Sequence, residues 1–74
     1  MELIQGKTAK GSLTNCIFVV DDDGNKHCFS YGEEVAAIMA GMYVEYDGPM
    51  YYSRTSCRHK AAFRRYFGVE KEVA

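Results

Sequence analysis

Cys16-Ile17-Phe18-Val19-Val20-Asp21-Asp22-Asp23-Gly24-Asn25-Lys26-His27-Cys28-Phe29-Ser30-Tyr31 is the stretch on which the fold turns. Two short runs rich in β-branched and aromatic residues flank an Asp-Gly pair, the composition of a β-hairpin whose turn needs positive φ. With Asp23-Gly24 as a two-residue loop, Val20 faces His27, Phe18 faces Phe29 and Cys16 faces Tyr31. That register gathers a mostly apolar set on one face.

Residues 2–9 read as an earlier strand, with Gly11-Ser12 as a break before a strand at 15–20 and its partner at 26–31. The stretch from Gly32 to Asp47 has two readings. Glu33-Glu34-Val35-Ala36-Ala37-Ile38-Met39-Ala40 holds good helix formers with acids in the first turn. A second hairpin, strands 34–39 and 42–47 turning at Ala40-Gly41, instead puts Met39 opposite Met42, Ala37 opposite Val44 and Val35 opposite Tyr46. This apolar set would face the core, leaving Glu34, Glu45 and Asp47 on the solvated face. Asp47-Gly48-Pro49 marks a turn. Ser53 then stands where a helix N-cap belongs, and Gly68 where the helix stops. Over 54–67, Thr55, His59, Ala62, Phe63 and Tyr66 share one side of a 3.6-residue wheel, with Phe67 at its edge. Arg54, Arg58 and Arg65 share the other. The tail over 69–74 reads as frayed. The fold class is α+β: one domain over 1–74, an antiparallel sheet of four or five strands built from hairpins and covered by one C-terminal amphipathic helix. Tyr31, Tyr43, Tyr46, Tyr51 and Tyr52 are expected to be partly buried or at an edge.

Seventy-four residues allow one hydrophobic core, and a chain of this size buries only roughly 60% of its unfolded surface. Homodimerisation, a common remedy, stays open. Neither a signal-peptide pattern at Met1–Lys7 nor a run of about 18 apolar residues is present, and the three cysteines, Cys16, Cys28 and Cys57, do not form a disulfide pattern. The chain is therefore expected in the cytoplasm, without a membrane partner. Net charge is −1, but residues 52–68 carry five cations and no acid, while the remainder holds ten acids against four lysines. A molecule polarised in this way can offer a basic surface to a polyanion, or pair its own two halves.

Ser30-Tyr31-Gly32 with Val35-Ala36, and Tyr52-Ser53-Arg54-Thr55-Ser56 with His59 and Phe63, resemble a group of small uncharacterised proteins from bacteriophages and mobile elements. Those proteins read S-Y-x-T-x-V-A, then a short hairpin, then Y-S-x-T-T-x-x-H-x-x-x-F-L. The resemblance spans residues 28–67. Here Glu33 replaces the first threonine, Ser56 the second threonine of the later pair, and Arg64 the leucine after Phe63. The resemblance implies strands after Ser30, a phage or mobile-element setting and a host bacterial cell. It implies no biochemical function.

Candidate site residues follow from charge and spacing. Arg54, Arg58, Lys60, Arg64 and Arg65 could grip phosphates, with Tyr51 and Tyr52 stacking on bases, or form a solvated helix face matched by acids of the sheet. Ser53, Thr55, His59 and Phe63 read as structural. His59 sits one helical turn from Thr55, but a nucleophile–base pair also needs an orienting acid and an oxyanion site. A metal site drawn from His27, Cys28, Cys57 and His59 fails on spacing, because helical ligands on one face lie three or four apart. Asp21–Asn25 lacks the carboxylate that a calcium loop needs at its first position and reads as a hairpin turn. No cofactor or metal is expected. The reading is a non-enzymatic binding protein that docks on a host protein, for instance as an inhibitor of host defence. The alternative is a nucleic-acid-binding module using the basic helix.

Overall fold

The structure is a computed structural model that describes residues 1–46 and 54–69. Five strands, β1 (Glu2–Thr8), β2 (Gly11–Val20), β3 (Lys26–Ser30), β4 (Glu33–Met39) and β5 (Met42–Glu45), precede one helix, α1 (Arg54–Phe67). The strands form an antiparallel meander in the order β1-β2-β3-β4-β5, and α1 covers one face. The expected α+β class and the five-strand count hold. Asp47-Gly48-Pro49, Tyr51, Tyr52, the Ser53 cap and the tail over 70–74 lie outside the described residues.

The first hairpin forms one residue out of the expected register. Cys16 pairs with Ser30, Phe18 with Cys28 and Val20 with Lys26, while Ile17 pairs with Phe29 and Val19 with His27. The cause is Asp21. Its carboxylate accepts the amides of Asp23 and Asn25, both at 2.9 Å, and its carbonyl accepts the Gly24 amide at 3.0 Å. Its own N–H reaches the Asn25 carbonyl at 2.9 Å, which closes a three-residue loop. Gly24 takes the left-handed position (φ 84°) that such loops place after a type I turn. A two-residue Asp-Gly loop would forgo the two side-chain bonds.

That slip changes the side on which β3 presents its residues. Cys16, Phe18 and Cys28 turn toward α1 and are fully buried; Phe29 turns the other way. The β4–β5 hairpin keeps the expected pairing, Met39 with Met42 and Ala37 with Val44. Val35 lies inside as expected, but beyond it the sides are reversed, because the β3–β4 register shifts between Cys28 and Phe29 and brings both Val35 and Ala36 into the core. Ile38, Ala36 and Tyr43 pack toward the helix, whereas Met39, Met42 and Val44 are exposed. Glu45, expected in solvent, lies on the helix side. Both tight turns, Tyr31-Gly32 and Ala40-Gly41, have positive φ at their two central residues, the type I′ signature that matches sheet twist. Of the tyrosines, Tyr43 and Tyr46 are half-buried and Tyr31 is exposed.

Gly11-Ser12 begins β2 instead of breaking it. The interruption comes later, where the β1–β2 register shifts between Gln5 and Lys7 and Leu13–Cys16 lie opposite Gly6. Asn15 adopts φ 57° in this bulge. The Gln5 amide donates to the carbonyls of Leu13 (2.6 Å) and Cys16 (3.2 Å), satisfying backbone that the ladder leaves over. Cys16 closes tightly over Gly6, where any Cβ would overlap its Sγ, Cβ and carbonyl oxygen.

α1 begins and ends as the sequence predicts. Gly68 (φ 70°) and Val69 close a Schellman cap, with Val69 N–H on the Arg64 carbonyl at 2.8 Å and Val69 packed on the core. Phe63 is fully buried, its ring 5.3 Å from Phe18 and 5.2 Å from Phe67. Gly6→Ala is expected to cost about 1–3 kcal/mol by overpacking. Thermal unfolding followed by circular dichroism should show a clearly lower Tm, and an unchanged Tm would mean that the bulge opens without cost.

Candidate functional site

The helix carries two kinds of cation. Arg54, Arg58 and Arg65 are exposed. Lys60 is 3% exposed, its Nζ 3.6 Å from Glu45 Oε1. Arg64 donates to Tyr43 Oη at 3.1 Å and to Glu45 Oε2 at 3.4 Å, and its guanidinium lies 5.2 Å from the centre of the Tyr43 ring. Positions 60 and 64 are one turn apart on the flank that meets β5, so the inward Glu45 draws both from the basic face. Three arginines remain on it. Tyr51, Tyr52 and Ser53 lie outside the described residues.

His59 is a core residue whose partner is Ser30, across the sheet, and not Thr55. Ser30 Oγ and His59 Nδ1 are 2.7 Å apart, both residues are 3% exposed, and the Tyr31 ring stacks over the imidazole at 6.0 Å. Burial and the nearby Arg58 hold His59 below the ordinary histidine range, so the neutral ring is favoured. The serine–imidazole contact is of the kind found in nucleophilic sites. Its burial under Tyr31 makes it a bolt between β3 and α1. Cys28 reinforces it, Sγ to the His59 carbonyl at 3.8 Å. A hydrogen bond with Cys16, together with burial, pushes the Cys28 thiol up, away from the reactive thiolate. Cys57 is exposed, and His27 is on the far face of the sheet. Among the described residues, no three His, Cys, Asp or Glu side chains converge as metal ligands.

The far face is the feature that sequence reasoning missed. It has no helix over it among the described residues. Leu3 (71% exposed), Met39, Met42 (63%) and Val44 stand on it in the open, and exposed Tyr31, whose ring stacks on His59, lies at its rim. Half-buried Ile17, Val19 and Phe29 join Leu3 and Tyr31 around a shallow groove of about 650 Å³. A charged cluster sits within this apolar surface. His27 Nε2 is 2.8 Å from Asp21 Oδ2, and its Nδ1 is 2.7 Å from Glu34 Oε2. Tyr46 Oη donates to Glu34 Oε2 at 3.1 Å. Partial burial opposes charging His27, but the bonds to Asp21 and Glu34 outweigh it and raise its pKa. The bond from His27 lowers the Asp21 carboxyl. With His27 protonated, the three groups keep one net negative charge. The parity change at Asp21 was the missing signal: once the loop has three residues, Val19, His27 and Phe29 must share a face.

The two histidines should titrate in opposite directions. Proton NMR is expected to give His27 a midpoint above about 6.5 and His59 one below it. In Glu34→Gln the His27 midpoint should fall and the His59 midpoint stay. For stability the signs differ as well. The His27 contribution is full below its unfolded pKa and is lost as pH rises through the folded value. That of neutral His59 is present above its unfolded pKa and is lost as pH falls through the folded one. A reversed order of midpoints would contradict both environments.

No helix among the described residues is long and apolar enough to cross a membrane. No curated protein and no solved structure matches the chain. The sequence model of a family of unknown function, DUF8033, matches residues 1–73. The chain, with its five-stranded meander and single covering helix, therefore belongs to the DUF8033 family.

Proposed function

We propose that this chain is a non-enzymatic binding protein that docks on a host protein through the open face of its sheet. The observation that carries the reading is the exposure, among the described residues, of Leu3, Met39, Met42 and Val44 on the sheet face away from α1, together with the groove lined by Phe29 and Tyr31. An antiparallel sheet usually keeps its solvent face polar. Large contiguous apolar patches on small domains mark interaction sites. Here the polar alternation fails on the side that α1 does not cover.

The embedded Asp21–His27–Glu34 cluster describes the partner's chemistry: an apolar surface with one basic side chain near its centre, placed to meet the net negative charge. The ordered type I′ turns and the Asp21-capped loop hold the face in shape before contact, which lowers the entropy cost of docking. The likeness of residues 28–67 to phage and mobile-element proteins supports a bacterial host cytoplasm as the setting. Blocking a host-defence protein is one outcome such docking would serve. Closure of Ser30–His59 under Tyr31 supports a binding role over a hydrolytic one.

A photo-crosslinking residue placed at Leu3, at Val44 or at Arg58 in bacterial cells tests the reading. The expected result is one host protein captured from Leu3 and Val44, not from Arg58, and lost in Leu3→Asp/Met42→Asp with Tm retained. Capture only of second copies of the chain, or capture from Arg58 alone, would sink it.

A further inference from the structure

On the helix side, the exposed cations form a continuous strip with β1. Arg54, Arg58 and Arg65 lie along the outer ridge of α1, over roughly 16 Å at 1.5 Å per residue. The C-terminal half of α1 lies beside the β1–β2 turn. There Lys7, Thr8 and Ala9 meet Ala62, Arg65 and Tyr66 around a recess of about 210 Å³. Lys10 is exposed on the same turn. Among the described residues, none of Lys7, Lys10, Arg54, Arg58 and Arg65 is in an ion pair. Glu45, the inward acid beside the helix, is already engaged by Lys60 and Arg64. The other described acids lie on the β2–β3 loop, on β4 and at Glu2.

Tyr66 adds an aromatic surface at the end of this strip. It is 42% exposed, propped from behind by Phe18 at 5.5 Å and Phe67 at 4.9 Å. Lys7 Nζ stands 5.7 Å from its ring centre, a weak contact that a phosphate could exchange for an ion pair while a base takes the ring.

We propose that the ridge of Arg54, Arg58 and Arg65, continued by Lys7 and Lys10 around the Tyr66 recess, binds single-stranded nucleic acid. Phosphates run along the ridge, one lies between Lys7 and Arg65, and an unpaired base stacks on Tyr66. A duplex keeps its bases stacked inside and cannot use the ring, so the single strand is the favoured form. The assignment differs from a uniformly basic helix because Lys60 and Arg64 are spent on Glu45, whereas the β1 lysines contribute. It is independent of docking at the open face, which lies on the other side of the sheet.

The test is fluorescence anisotropy with a labelled oligothymidylate and with a duplex of mixed sequence, between about 50 and 200 mM salt. Binding to the single strand is expected to be tighter than to the duplex. It should weaken with salt by about 0.7 logarithmic units of affinity per logarithmic unit of salt for each phosphate engaged. Lys7→Ala/Arg65→Ala should reduce affinity at least tenfold and, with the one phosphate between them lost, make the salt slope shallower by about 0.7. Lys26→Ala, which removes one charge beside Phe67 from a residue that does not line the recess, should change little. All three substituted residues lie outside the buried core, and a matched Tm checks that each variant is folded. Absence of binding at 50 mM salt, equal loss in Lys26→Ala, or unchanged affinity in Lys7→Ala/Arg65→Ala would each overturn the proposal. Failure of this site would leave the open-face crosslinks untouched, and the reverse also holds.

Discussion

The Asp21 carboxylate governs more of this structure than any other single group. By accepting the amides of Asp23 and Asn25 it makes the β2–β3 loop three residues long, with Gly24 in the left-handed position. Side chains alternate along strands, so the loop length decides which face of β3 meets the helix. Cys28 pairs with Phe18 on the inner side; a register shift between Cys28 and Phe29 then sets Cys28 opposite Ala36, and the far part of β4 and β5 follow from that second shift. The same residue then uses its second carboxylate oxygen on His27, across the β2–β3 pair. One side chain thus sets the β2–β3 register, the inward side of β3 and part of the polar centre of the opposite face.

The core built on that parity is small. Phe18 and Phe63 are its two largest fully buried side chains, and around them pack Val35, Ile38 and the two thiols. Apolar burial is supplemented by polar contacts that tie α1 to particular strands. Ser30–His59 fixes the middle of the helix over β3, and Lys60 and Arg64 fix its flank to Glu45 on the edge strand. Polar groups buried with partners contribute little net energy compared with the cost of leaving them unpaired. Their consequence here is positional: they hold the helix in one rotation about its axis. That rotation leaves Arg54, Arg58 and Arg65 outward and brings Arg65 beside Lys7.

The molecule consequently has two unlike surfaces on opposite sides of one sheet. The helix side is polar and cationic, and its acids are consumed internally. The open side is apolar around an acid–histidine–acid cluster in which the bonds to Asp21 and Glu34 favour the charged imidazolium of His27.

Local chemistry in the sequence was sufficient for most of the elements, although it left helix and strand both open over β4 and put a break at Gly11-Ser12, where β2 begins. Asp-Gly and Ala-Gly pairs specify turns by their tolerance of positive φ, and the 3.6-residue spacing of His59, Ala62 and Phe63 with Gly68 behind them specifies the helix and its end. The pairing of Met39 with Met42 also follows from the turn alone. Only the tertiary structure decided which face of each strand is inside, because both faces of β3, β4 and β5 carry apolar residues and pattern cannot separate them. It also decided that Lys60, Arg64 and Glu45 cancel one another, and that His59 meets Ser30 instead of Thr55. Those contacts join residues fifteen or more positions apart. Their geometry is set by the three-residue loop at Asp21, whose side-chain hydrogen bonds the Asp-Gly pair does not announce, and by the β3–β4 register shift at Cys28 and Phe29, which turns Glu45 inward.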